Sequence, residues 1–192
     1  MKKLLKALLA IAAFLILSCG GSEQDICNCQ PSEPASNDYR HTAKHVPLPS
    51  GAVQEITVSE ILAWPVPAEP VVDAPRTGRE LELFHIGRAF AQFVWLFPGD
   101  CDIHLEISET PDKGARRMIV ETPVDLEYCG TRRRLEARLA RDGVHISKEF
   151  QELPKPIPVE VLGLAFQDFN HKRGSDFVAT PWELHPAVVN LQ

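Results

Sequence analysis

The sequence predicts a mainly β domain, a five-stranded Greek-key barrel with one helix between the third and fourth strands. Three observations predict it. Cys101, Ile103, Leu105 and Ile107 alternate with Asp102, His104, Glu106 and Ser108, and a strict period of two marks a strand. Residues 80–97 are rich in Phe, Ile, Val, Leu and Trp, with Gly87 near the middle. A strand that long bends, and a glycine or a bulge is where it does so. Residues 131–141 place Leu135 and Leu139 four apart among arginines, the spacing of a helix with one buried face. The hydrophobic fraction of 44% suits a globular domain and excludes wholesale disorder and fibrous classes.

The elements follow in chain order. Residues 57–63 predict a short helix, capped by Ser59 or Thr57 and ended by Pro65. Four prolines and Gly78 over residues 65–78 predict an extended surface segment. Residues 80–97 predict the long bent strand; a buried helix competes, because the apolar period is not clean. Pro98-Gly99-Asp100 is a turn. The alternating segment after it predicts a half-buried strand, with its polar set on the face away from the core. Residues 109–116 form a loop, and residues 117–122 a third strand stopped by Pro123. In the helix, Arg132, Arg133, Arg134, Arg138 and Arg141 surround the two leucines. They read as a solvated face or, functionally, as an anion-facing surface. Pro154, Pro156 and Pro158 lead into a fourth strand over 159–169, with Gly163 inside it. A polar loop precedes the fifth strand, 182–191, where Pro186 marks an edge or a bulge.

This order resembles the OB-fold. A β-sandwich or another α+β arrangement is the alternative.

The N-terminus sets the address. Lys2, Lys3 and Lys6 form a positive region, followed by an apolar run to Leu17 that is short for a membrane span and fits a secretory signal. It ends Ile16-Leu17-Ser18-Cys19-Gly20, which resembles a bacterial lipobox. The resemblance implies that residues 1–18 are removed and Cys19 is lipidated at the new N-terminus. An ordinary signal peptide or an uncleaved anchor is the alternative. Gly20, not Asp, follows the cysteine; by resemblance to Gram-negative sorting rules this favours an outer-membrane lipoprotein facing the periplasm. Loss of the three signal lysines leaves 17 basic groups against 26 acidic, a net charge of −9. Such a chain repels phosphate polyanions, which disfavours nucleic acid as a partner.

Residues 19–53 are rich in Ser, Pro, Gly, Asn and acid. That composition predicts a disordered tether ahead of a folded domain at 54–192. Cys27 and Cys29 fall in the tether, where metal binding, pairing with another chain and a local bridge are all open. Cys101 and Cys129 fall in the domain. An oxidising envelope makes a Cys101–Cys129 disulfide the expected state, against two buried thiols.

Four further blocks carry a resemblance. They are Asp100-Cys-Asp102-Ile-His104, Ile119-Val-Glu121-Thr-Pro123, Gly163-Leu-Ala-Phe166-Gln-Asp168-Phe-Asn-His171 and Glu183-Leu-His185-Pro186. Together, over residues 57–192, they resemble an uncharacterised group of bacterial, often exported, proteins. Ala187 stands where that group usually has Val. The resemblance implies no reaction.

The same blocks form the candidate site. Asp102, His104 and Glu106 share one strand face, and Glu183 and His185 share another. Asp168 and His171 end the fourth strand, and Glu121 could face the same way from the third. If these faces converge, several carboxylates meet two or three imidazoles, a mixed N/O set suited to Zn, Mn or Fe. A divalent metal there would draw its ligands from His104, His171, His185 and Asp102. Without metal, a histidine paired with a carboxylate supports acid/base chemistry. Each block also has a structural reading, as cross-strand pairing, a closed turn or a buried hydrogen-bond network.

Two functions follow. The favoured one is a lipid-anchored, non-enzymatic binding or structural domain of the envelope, with a glycan or an envelope protein as partner. The other is a metal-dependent hydrolase, phosphodiesterase-like, using the His/Asp/Glu cluster. Among small β-barrel enzymes of that kind are the staphylococcal-type thermonucleases, whose characteristic motifs this chain lacks. No nucleophile elbow and no glycine-rich phosphate loop occurs in the sequence.

Overall fold

The computed structural model describes residues 25–169 and 174–192. The signal segment 1–18, the lipidation site Cys19 and His171 lie outside the described residues. The single turn α1 (His41–Lys44) precedes strand β1 (Val53–Glu55), which helix α2 (Val58–Leu62) follows. Strands β2 (Leu83–Leu96), β3 (Ile103–Ser108) and β4 (Arg117–Thr122) follow. The main helix α3 (Cys129–Ala140) separates them from β5 (Gln151–Gln167) and β6 (Val178–Leu191).

Five of the strands close into a mixed barrel. Antiparallel pairs join β2 to β3, β3 to β4, β6 to β5 and β5 back to β2. The β4–β6 pair is parallel. An extra strand not foreseen from sequence, β1, pairs in parallel with the start of β2, Val53 opposite Leu83. The long β2 shifts register between Ile86 and Ala89, around Gly87, where the bend was expected. Of the two readings of Pro186, the structure shows the bulge. Gly163 faces Ala187 and Ala165 faces Leu184, so His185 and Pro186 together oppose the single residue Leu164. A side chain at Gly163 would put its Cβ 2.9 Å from the Pro186 carbonyl, so the bulge requires glycine there.

The core is built from the alternation. Ile103, Leu105 and Ile107 point inward with Met118, Val120, Val94 and Leu184. Leu135 and Leu139 of α3 pack against them. The short helix is capped as its sequence indicates: Thr57 Oγ1 accepts from the Glu60 amide at 3.2 Å, and Glu60 accepts from the Thr57 amide at 2.8 Å. That reciprocal box satisfies two amides otherwise left unpaired.

Three expectations need correction. First, Cys101 and Cys129 do not pair with each other. Cys27 is bonded to Cys129 and Cys29 to Cys101. The start of α3 and the start of β3 flank the same stretch of N-terminal chain, so each takes one cysteine from it. Second, residues 25–53 are not a free tether. Ile26 and Cys29 enter the core, and the Arg40 side chain is fully buried. Its guanidinium grips Glu80 through two bonds, 2.6 and 2.8 Å, and donates to the carbonyls of Ala74, Pro75 and Gln167. Composition signals disorder only when nothing else offsets the ordering entropy; two disulfides do so here. Third, β3 is buried on both faces. Residues 38–45 cover its Asp102 end, and the turn at Ser175 covers Glu106.

The basic helix face is also divided. Arg133, Arg134 and Arg141 are exposed, but Arg132 is wholly buried. It donates to the carbonyls of Ile26, Thr122 and Cys101 at 2.8–2.9 Å. Arg132 therefore ties the N-terminal segment, β4 and β3 together, and burial lowers its pKa to about 10.

Candidate functional site

The outward faces of β3, β4 and β6 carry the polar residues singled out above. Alternation puts Asp102, His104 and Glu106 on one face of β3, and pairing with β4 sets His104 opposite Glu121. The parallel β4–β6 register sets Val120 opposite Leu184, which brings His185 beside Glu121.

His185 is the centre of the cluster and has no exposed surface. Its Nε2 lies 3.0 Å from Asp102 Oδ2, and its Nδ1 lies 2.8 Å from Glu121 Oε2 and 3.5 Å from Glu183 Oε1. The second Glu121 oxygen meets His104 Nδ1 at 3.0 Å. The second Asp102 oxygen accepts from the Val124 amide at 2.9 Å. Two candidates go elsewhere. Glu106 binds Arg117 at 3.2 Å and the Ser175 amide and hydroxyl at 2.5 Å, so it anchors a turn. Asp168 stands at the cavity described below.

The covering segment adds residues from the part of the chain whose composition predicts a tether. His45 Nδ1 lies 2.7 Å from Asp125, and its Nε2 lies 3.9 Å from Asp102 Oδ2. Lys44 Nζ lies 3.2 Å from Asp38 and 3.9 Å from Asp100. No periodic signal marks these residues. The available clue was the local density of His41, Lys44 and His45 in an otherwise acidic chain.

The electrostatics follow from burial and crowding. Burial opposes charge on His185, but Asp102, Glu121 and Glu183 outweigh it and raise its pKa well above the usual histidine value. Burial likewise opposes charge on Glu121, yet His104 and His185 hold its pKa well below the usual value. Asp100 is pushed up to about 8 by burial and by the carboxylates of Asp102 and Glu121. Lys44 is raised despite its burial, chiefly by Glu121 and Asp168.

A cavity of about 830 Å³ opens beside the cluster. Tyr39, Trp95, Phe97 and Phe169 give it aromatic walls, and Asp100, His104, Glu121 and Asp168 give it a polar floor. Its volume is that of a small-ligand pocket. With Nδ1 turned to Glu121, His104 leaves a buried Nε2 with no hydrogen-bond partner among the described residues. The arrangement can therefore bind hydroxyl or amine groups over an aromatic face, or supply acid/base groups to one.

The two disulfides point to an oxidising, extracytoplasmic compartment. No family model matches the chain, and neither a curated protein nor a solved structure matches it.

Proposed function

We propose that this chain is a lipid-anchored cell-envelope protein, attached through Cys19, whose barrel is a non-enzymatic module that binds a glycan. The cavity carries the reading. A sugar ring has apolar faces that suit Trp95, Phe97 and Tyr39, and a hydroxyl rim that suits Asp100, His104 and Glu121. The strand order supports it as well. The closed circuit β2–β3–β4–β6–β5, with a helix before β5, is consistent with an OB-like Greek key. Such barrels bind oligonucleotides and oligosaccharides on the face of their second and third strands. Here those strands carry His104 and Glu121 toward the cavity. Carboxylates there favour the saccharide over a polyanionic nucleic acid.

The test is calorimetric titration of the full chain, disulfides intact, with neutral and amino-sugar oligosaccharides released from envelope polymers. Binding that Trp95→Ala weakens by about ten-fold or more, roughly 1.4 kcal/mol, is the expected result. Absence of binding across that panel, or binding indifferent to Trp95→Ala and Phe97→Ala, would overturn the reading.

A second reading, a metal-dependent hydrolase of phosphodiester type, is favoured by one observation: Asp102, Glu121 and His185 converge beside the cavity. Hydrolysis left unchanged by His104→Ala and His185→Ala would exclude it.

A further inference from the structure

We infer that Asp102, Glu121 and His185 are the protein ligands of one divalent transition-metal ion, held between β3, β4 and β6. The inference goes beyond the glycan reading and stands or falls separately from it.

The spacing of the donors is the first argument. Ions of this class bind N and O ligands at about 2.0–2.2 Å, which places two donors of one ion about 3.0–3.4 Å apart. Asp102 Oδ2 lies 3.0 Å from His185 Nε2, within that spacing, while Glu121 Oε2 lies 2.8 Å from the other ring nitrogen, Nδ1. An ion takes one of the two nitrogens, and one donor atom from each of the three residues falls within 4.8 Å of the others.

The second argument is misalignment. His185 and Asp102 have no exposed surface. Yet Asp102 Oδ2 and both ring nitrogens complete no hydrogen bond among the described residues. A hydrogen bond would place the oxygen on the N–H axis. Two ligands of a shared cation approach edge to edge, each lone pair directed at the ion. The Asp102 Oδ2–His185 Nε2 pair, close, buried and unaligned, fits that geometry, and a buried polar atom without a partner is otherwise costly.

The third argument is how the remaining oxygens are used. Asp102 Oδ1 takes the Val124 amide, and Glu121 Oε1 takes His104 Nδ1. Each carboxylate is thus steered by its outer oxygen and offers the inner one toward His185. Outer contacts of this kind orient metal ligands. One imidazole with two carboxylates suits Zn, Mn or Fe(II). Of the three residues Glu121 also lines the cavity, so the ion would lie beside it. The competing arrangement is a proton: an imidazolium held between two carboxylates, with Lys44 supplying the remaining positive charge nearby.

The experiment is equilibrium dialysis of the untagged full chain, disulfides intact, against Zn(II) and Mn(II), read by elemental mass spectrometry. About one ion per chain is expected. Asp102→Asn and His185→Ala should each weaken binding by at least about ten-fold, with His85→Ala, at a surface pair remote from the cluster, leaving it unchanged. Co(II) loaded into the unsubstituted protein should show visible bands of an N/O site, a readout independent of whether the variants fold. No ion retained, or no Co(II) bands, would overturn the inference in favour of the proton. An ion that survives both substitutions would place binding elsewhere, at Asp38, His41 and His45, and would overturn it equally.

Discussion

Cys29 and Cys101 are joined across 72 positions of sequence, and that bond fastens the N-terminal segment beside the start of the strand bearing Asp102 and His104. The covering residues Asp38, Lys44 and His45 follow within that fastened segment. The chain over the polar face is therefore part of the site.

Replacing both Cys29 and Cys101 by Ser should cost about 4 kcal/mol in the chain-entropy account of a loop this long. Thermal unfolding checks the size. Hydrogen exchange should show residues 38–46 losing protection before the barrel strands do.

Arg132→Ala should destabilise by about 3 kcal/mol or more, because the buried carbonyls of Ile26, Thr122 and Cys101 would lose their donor. Arg133→Ala, on the exposed side of the same helix, should fall within about 0.5 kcal/mol of the parent. Urea midpoints compare the two.

Acid should release the Arg40–Glu80 clamp. Burial alone would raise the Glu80 pKa, but Arg40 and the amides of Gln167 and Thr77 lower it. A lowered folded pKa contributes stability that is present above the ordinary carboxylate range. It is lost as pH falls through the lowered folded value. Glu80→Gln should be less stable than the parent at neutral pH, and the gap should close below about pH 4. Stability measured against pH in both proteins checks the sign.

Gly174→Ala should cost about 1–2 kcal/mol from backbone handedness alone, since Gly174 has φ +61°. The added Cβ would also run into Glu106 Oε1 and approach His104. On the glycan proposal, affinity should fall with it, which titration of the variant measures.

The site was partly legible in advance. A period of two places Asp102 with His104, and Glu183 with His185, whatever the fold around them. That Glu121 stands between His104 and His185 depends on β4 having β3 on one edge and β6 on the other. Glu106 shows the limit: periodicity assigns it to the same face as His104, yet Arg117 and Ser175 draw it into a separate structural pair.

By itself the sequence determined the local elements. These are the alternating strand, the bend near Gly87, the box at Thr57 and Glu60, and the buried leucines of α3. Each depends on backbone geometry and on neighbours within a few residues. The tertiary structure alone decided which cysteines pair, that Arg132 turns inward, and that residues 38–45 close over the polar face. Those outcomes depend on contacts 10 to 127 positions apart, and the free energy of such contacts is not encoded in local composition or period.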